Sequence, residues 1–140
     1  MRTLVKRLVL VAIVVAGIWA SLAWPHLNRV ETGRTPEYPD LQPRDYAAPP
    51  PVVTKAVGSA VERLGWTLVG SGRGPGGSQT HAVARTRVLR FPDDVFIHVK
   101  TEKGKTVVSV KSESRYGKWD FGQNARNIRM FLAELDRQMP

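Results

Sequence analysis

The sequence predicts an α+β protein in which an N-terminal transmembrane helix precedes a two-layer domain, a four-stranded antiparallel sheet with two helices packed on one face. Three observations lead to this fold class. An apolar run without formal charge lies near the N-terminus, and two later segments carry apolar residues at helical steps of three and four. Between those two segments, apolar and polar residues alternate in stretches bounded by turn residues. The order helix, four strands, helix is typical of a two-layer domain.

The membrane-directed segment is residues 1–30, centred on the apolar run Leu8–Trp24. At about 1.5 Å per residue this run spans roughly 26 Å, slightly less than the ~30 Å hydrocarbon core. Lys6 and Arg7 allow a longer span because their side chains extend back to the headgroups. The alternative is a signal peptide cleaved at Ser21–Ala23, but the apolar regions of signal peptides usually run only about 7–15 residues. We therefore expect a retained anchor, or an uncleaved signal segment.

Positive charges are more frequent before the apolar run than directly after it. Arg2, Lys6, Arg7 and the terminal amine precede the run, whereas Arg29 and Arg34 follow it. This bias favours a cytoplasmic N-terminus. The sequence therefore predicts a single-pass protein of the inner (cytoplasmic) membrane with an extracytoplasmic C-terminal domain.

Residues 31–51 are rich in proline and are predicted to form an extended, semi-rigid linker. The simplest role for such a segment is a spacer between the membrane and the domain. Tyr38, Leu41 and Tyr46 indicate a second role, because apolar side chains at this spacing could dock along the domain. We favour docking of the later half.

The domain proper is predicted to cover residues 52–140, with a helix at each end. The first helix covers Val52–Leu64, and the second covers Asp120–Met139 with an apolar stripe along its length. Asp120 followed by Gln123 three residues later is typical of a capping box at the start of the second helix.

Four strands are predicted between the helices, at Trp66–Val69, Thr80–Leu89, Val95–Thr101 and Thr106–Ser114. The glycine-rich stretch Ser71–Ser78 is predicted to be a flexible loop. Alternation assigns one sheet face to small and branched apolar residues: Ala82, Ala84, Val88, Val95, Ile97, Val99, Val108 and Val110. The other face carries His81, Arg85, Arg87, His98, Lys100, Lys111 and Arg115. One face is thus apolar and covered by helices, and the other is basic.

The basic face, represented by Arg85, Arg87, Lys100 and Lys111, has two interpretations. It is either an ordinary solvated surface or a surface for anionic lipid or glycan, since the chain carries a net charge of +9. Nucleic acid is not expected, because the sheet lacks the paired aromatic residues of an RNA-recognition motif. The remaining expected partners are the membrane, through the N-terminal helix, and an unidentified protein.

The segment Ser112–Asn124 reads Ser-Glu-Ser-Arg-Tyr-Gly-Lys-Trp-Asp-Phe-Gly-Gln-Asn and leads from the last strand into the last helix. It resembles the signature of the bacterial family named domain of unknown function 1499, in which a similar Ser-x-Ser-Arg-x-Gly-x-x-Asp-x-Gly-x-Asn segment precedes a basic amphipathic helix. The matching positions are Ser112, Ser114, Arg115, Gly117, Asp120, Gly122 and Asn124. Asn127 departs from the family pattern, which commonly has Arg there. The resemblance implies a family and supplies no reaction.

These polar residues have a structural and a functional interpretation. In the first, Asp120 caps the helix, Arg115 pairs with an aspartate, and Asn124 ties the first helical turn to the strand end. In the second, Arg115, Lys118 and the N–H groups at the helix start hold a phosphate or carboxylate. The negative charge of Asp120 argues against the second.

An enzymatic function has little support in the sequence. The absence of cysteine excludes thiol nucleophiles and thiolate metal sites, and no metal or cofactor is expected. A hydrolase triad could be drawn from Ser112 or Ser114, His81 or His98, and Asp93 or Asp94. No Gly-x-Ser-x-Gly elbow accompanies them. The sequence therefore predicts a non-catalytic binding or interaction module at the cell envelope, with a hydrolase of an anionic envelope substrate as the alternative.

Overall fold

The structure is a computed structural model that describes residues 1–139, so the predicted domain end at Pro140 lies outside the described residues. Three helices and six strands follow one another along this part of the chain. In order, they are α1 (Arg2–Ala23), β1 (Arg29–Glu31), β2 (Arg44–Tyr46), α2 (Pro50–Arg63), β3 (Thr67–Gly74), β4 (Gly77–Arg85), β5 (Pro92–Glu102), β6 (Lys105–Ser114) and α3 (Gln123–Gln138). The α+β class is confirmed.

The sheet is antiparallel and contains six strands, so the prediction of four was wrong. Its order is β1-β6-β5-β4-β3, and β2 also pairs with β6. Both additional strands lie on the free edge of β6, where Arg29 is opposite Glu113 and Arg44 is opposite Val108. Each has only three residues, too few to show alternation in the sequence. Their pairing covers a strand edge that would otherwise expose unpaired backbone groups.

The glycine-rich stretch predicted as a flexible loop is instead a hairpin made by β3 and β4. Gly74 pairs with Gly77, and Pro75 and Gly76 form the turn. Gly77 has φ +116°, and a Cβ at this position would lie 2.1 Å from the carbonyl oxygen of Val99. Every residue of β3 is exposed, so this strand carries no buried side chain whose spacing could predict it.

Strand β4 ends at Arg85 and does not continue to Leu89 as predicted. Thr86 closes a turn in which its N–H donates to the Phe91 carbonyl oxygen at 2.9 Å, and its hydroxyl accepts from the Phe91 N–H at 2.8 Å. Val88, predicted on the apolar face, is therefore 87% exposed. Arg87 lies in the same turn and not on the sheet face to which alternation assigned it.

The hydrophobic core lies between the sheet and the two domain helices, α2 and α3. Apart from Val88, the residues assigned to the apolar sheet face are buried. From the helices, the largest fully buried side chains are those of Phe131, Ile128 and Leu135. Leu41 is also buried in this core, and Tyr38 and Tyr46 pack against it, which confirms the predicted docking of the proline-rich segment.

Helix α1 contains 22 residues, and its stretch Thr3–Ala23 is long and apolar enough to cross a membrane. At about 1.5 Å per residue such a helix is roughly 33 Å long, close to the ~30 Å hydrocarbon core. None of its apolar stretch is buried within the protein. The helix ends where Trp24 adopts an extended conformation, immediately before Pro25.

Candidate functional site at the exit of the N-terminal helix

The segment Ser112–Asn124 lies at one end of the sheet, where it contacts the chain that leaves α1. Gly117 and Gly122 have φ +84° and +76°, conformations that glycine adopts without strain. A Cβ at Gly122 would lie 2.9 Å from Nε1 of Trp24. Glycine at this position therefore allows the Trp24 indole to pack directly against the start of α3.

Asn124 is fully buried and links three parts of the chain. Its amide nitrogen donates to the carbonyl oxygen of Asn28 and to Oγ of Ser114, both at 2.9 Å. Its amide oxygen accepts from Oγ of Ser112 at 2.6 Å. The predicted tie between the helix and the strand end is confirmed, and it also includes the backbone that follows α1.

Asp120 binds the start of α3 through its carboxylate. Its two oxygens accept from the N–H groups of Gly122 and Asn124, each at 2.8 Å, and its carbonyl oxygen accepts from the N–H of Gln123 at 3.0 Å. The reciprocal half of the predicted capping box does not form. The Gln123 amide donates to Asn127 at 2.9 Å, and the helix begins at Gln123.

The anion-site interpretation of this segment does not fit the geometry. Asp120 occupies three of the N–H groups that would have held the ligand. Arg115 forms a bidentate pair with Asp94, at 2.7 and 2.8 Å. This pair lowers the pKa of the Asp94 carboxyl, and a hydrogen bond from His81 lowers it further.

The exit segment, residues 24–28, is fastened to the motif along its length. The N–H of Asp120 donates to the carbonyl oxygen of Leu27 at 3.0 Å, and the N–H of Ser114 donates to that of Asn28 at 2.8 Å. The imidazole of His26 lies 4.4 Å from the Trp119 ring. These contacts are non-local, and no sequence pattern predicts them. The family-like segment therefore holds the exit of α1 against the domain.

Asp93 lies beneath this network and is buried. Burial raises the pKa of its carboxyl, and the nearby charges of Asp120 and Asp94 raise it further. Hydrogen bonds from Asn127, at 2.9 Å, and from Ser114 act in the opposite direction. Asn127, which departs from the family pattern, is thus a neutral partner of a buried acid.

Asp93→Asn should stabilise the protein relative to the native chain, and more at pH 7 than at pH 4. Folding raises the pKa of this acid, so the folded protein loses stability as pH rises from the unfolded pKa through the folded pKa and the buried carboxyl ionises. At pH 4 this loss is smaller than at pH 7, and the substitution therefore gains less there. The amide carries no charge, and its oxygen still accepts from Asn127. Melting temperatures of both proteins across this pH range provide the check. A difference that stays constant or shrinks as pH rises would contradict the assignment.

The outer sheet face carries acids that balance most of its basic residues. Lys100 pairs with Glu102 at 3.0 Å, and Lys111 pairs with Glu113 at 3.4 Å. Asp94 lies on this face as well and pairs with Arg115. Arg85 has no acidic partner among residues 1–139, and it donates to the carbonyl oxygen of Arg90 at 3.4 Å.

The residues considered for a hydrolase triad do not assemble into one, because neither serine lies on the same side of the sheet as a histidine. Ser112 and Ser114 lie on the helix-facing side of the sheet, where their hydroxyls bond to Asn124. His81 lies on the outer face, bonded to Asp94 at 2.7 Å and stacked on Phe96 at 4.4 Å. His98 is on the same outer face, opposite Ser109. The sheet thus separates the serines from both histidines.

A groove of ≈ 540 Å³ opens beside the exit segment, between the 86–91 turn and the 116–121 loop. Six exposed aromatic or aliphatic side chains line this apolar groove: Val88, Leu89, Phe91, Tyr116, Trp119 and Phe121. Four cations lie in or beside this lining, and none has an acidic partner among the residues that the structure describes. This cationic rim consists of Arg87 and Arg126, which line the groove, and of Arg90 and Lys118, whose chain neighbours line it. Sequence reasoning missed the groove because it extended β4 through Val88 and Leu89.

The fold and this site define a small α+β domain joined directly to an N-terminal apolar helix. The chain belongs to the family described as "Protein of unknown function (DUF1499)", whose model matches residues 21–135. The match begins before β1 and therefore includes both strands that the sequence prediction omitted. A search of curated proteins found no match.

Proposed function

We propose that this chain is a single-pass protein of the cytoplasmic membrane, and that its extracytoplasmic α+β domain is a non-catalytic binding module at the cell envelope. The observation that carries the proposal is the junction between α1 and the domain. A 22-residue helix with an unburied apolar surface ends in a segment that is hydrogen-bonded into the family-like motif. An apolar helix of this length matches the hydrocarbon core of a bilayer.

Retention of the helix is supported by the conformation at the potential cleavage site. Ser21–Ala23 belongs to α1, and the next residue, Trp24, packs against Gly122. The apolar stretch is also longer than the ~7–15 residues usual for a signal peptide. The excess of positive charge before the stretch favours a cytoplasmic N-terminus.

Binding is favoured over catalysis by the way the polar groups are used. Asp120, Asn124 and Ser112 are buried and bonded to one another or to backbone groups. The exposed groups that a ligand could contact include the side chains of the apolar groove and of the cationic rim. Together with the net charge of +9, they favour a ligand with anionic and apolar parts, of which anionic lipid is the simplest.

The full-length protein should remain in membranes after an alkaline carbonate wash, at its full length. A reporter that is active only outside the cytoplasm should be active when fused after Pro140, because positive charges precede the apolar stretch. A matched control replaces residues 1–23 with a cleavable signal peptide and should release the domain. Release of a shortened form from the native chain would contradict the anchor, and an inactive reporter would contradict the orientation.

A further inference from the structure

The apolar groove and the exit segment form one continuous surface. Trp119 contacts His26, and Phe121 lies edge-on to Trp119 at 6.4 Å between ring centroids. Gly122, the next residue, contacts Trp24. Two residues, Trp24 and Pro25, thus lie between the end of α1 at Ala23 and His26, which contacts the aromatic cluster on the domain.

We infer that the apolar groove and its cationic rim dock on the bilayer beside the anchor, with the groove side chains among the phospholipid headgroups and upper acyl chains and the rim on lipid phosphates. This inference rests on the proposed membrane anchor and adds a second contact with the membrane. The domain is then held at the bilayer in one orientation.

The composition of the groove fits this environment. Tryptophan and tyrosine are enriched at membrane–water interfaces, where an apolar ring and a polar edge are both satisfied. Tyr116 and Trp119 supply such rings, and Val88, Leu89 and Phe91 add apolar side chains from the neighbouring turn. A soluble domain rarely exposes so many large apolar side chains in one place unless they form an interaction site.

The distribution of charge supports a lipid partner. Cations on the outer sheet face are mostly paired with acids, whereas the four cations of the rim have no acidic partner among the described residues. Asp93 and Asp120 line the groove, but both are buried and hydrogen-bonded within the protein. The accessible charge around the groove is therefore positive, which complements anionic phospholipid headgroups.

The absence of cysteine allows a direct test in the full-length chain. Three single-cysteine variants, Val88→Cys, Thr101→Cys and Val14→Cys, carry an environment-sensitive fluorophore. They are reconstituted in phosphatidylcholine–phosphatidylglycerol vesicles whose acyl chains are brominated near the headgroup for the Val88→Cys and Thr101→Cys variants and near the chain end for Val14→Cys. Val88 is exposed in the groove, Thr101 is exposed at the opposite end of β5, and Val14 lies within α1.

We expect bromolipid to quench most of the fluorescence at Val88 and at Val14 and little of it at Thr101. Adding Leu89→Asp to the Val88→Cys variant should reduce the quenching, because a carboxylate is disfavoured among headgroup phosphates. Leu68→Asp is the matched control, an exposed leucine on β3 outside the groove, and should leave the quenching unchanged.

Quenching at Val14 without quenching at Val88 would overturn the docking inference and leave the anchor intact. This outcome includes a groove occupied by another protein or by a second copy of the chain. The absence of quenching at Val14 would contradict the proposed anchor itself. Equal quenching at Val88 and Thr101 would also overturn the inference, because it would show no preferred orientation.

Discussion

Asn124→Ala should lower the free energy of unfolding of the domain by roughly 2–4 kcal/mol, because three polar partners lose a hydrogen bond to one buried amide. These partners are the hydroxyls of Ser112 and Ser114 and the carbonyl oxygen of Asn28. Asn124 is fully buried, so water cannot replace its amide without entering the core. Denaturant titration of the full-length protein in detergent, followed by tryptophan fluorescence, measures the change.

Asn28→Ala is the matched control. It retains the carbonyl oxygen that Asn124 contacts and removes only an exposed side-chain bond to the Gly117 carbonyl oxygen, at 3.3 Å. We expect it to lower the free energy of unfolding by about 0.5 kcal/mol, at the low end for one hydrogen bond. Similar losses for the two variants would show that the buried network around Asn124 does not stabilise the domain as described.

Gly77→Ala should destabilise the β3–β4 hairpin and the sheet edge, with a loss of about 2–4 kcal/mol from steric overlap and backbone strain. The new Cβ would lie 2.1 Å from the carbonyl oxygen of Val99, and the φ of +116° is unfavourable for alanine. Because the clashing atom belongs to the backbone of β5, a change of side-chain rotamer cannot relieve it. Thermal unfolding and amide hydrogen exchange in β4 provide the measurements.

Gly76→Ala tests whether this loss is specific. No atom lies within 4 Å of a Cβ added at Gly76, so the variant should be close to the native protein in stability. If Gly77→Ala melted at the same temperature as Gly76→Ala, the close approach of Gly77 to β5 would be contradicted.

The elements that the sequence predicts best are those with repeated burial. Helix α3 and strands β5 and β6 bury side chains at regular intervals, so their periodicity is visible without tertiary information. Strand β3 buries none, and β1 and β2 are too short to repeat a pattern. Their positions depend on pairing with β4 and β6, which only the folded chain shows.

The contacts of the candidate site also divide into local ones, which the sequence predicts, and non-local ones, which it does not. The contact of Asp120 with its own helix start is local and follows from residue type. The bond between Asn124 and Asn28 joins residues 96 positions apart, and nothing near either residue predicts it. The outer face was predicted to be too basic because the start of one strand was placed incorrectly. Because β5 begins at Pro92 and not at Val95, Asp94 lies on that face opposite the predicted cations.

In the proposed membrane topology, the pairing of β1 and β2 with β6 limits how far the domain can lie from the bilayer. A free polyproline-like segment over residues 31–51 would extend about 65 Å at ~3.1 Å per residue. In the structure, β1 begins at Arg29, six positions after α1 ends at Ala23, and the proline-rich residues return along the sheet. An α1 helix inserted in the membrane would therefore keep the domain close to the bilayer, and a partner of the domain would have to lie at the bilayer surface or be delivered to it.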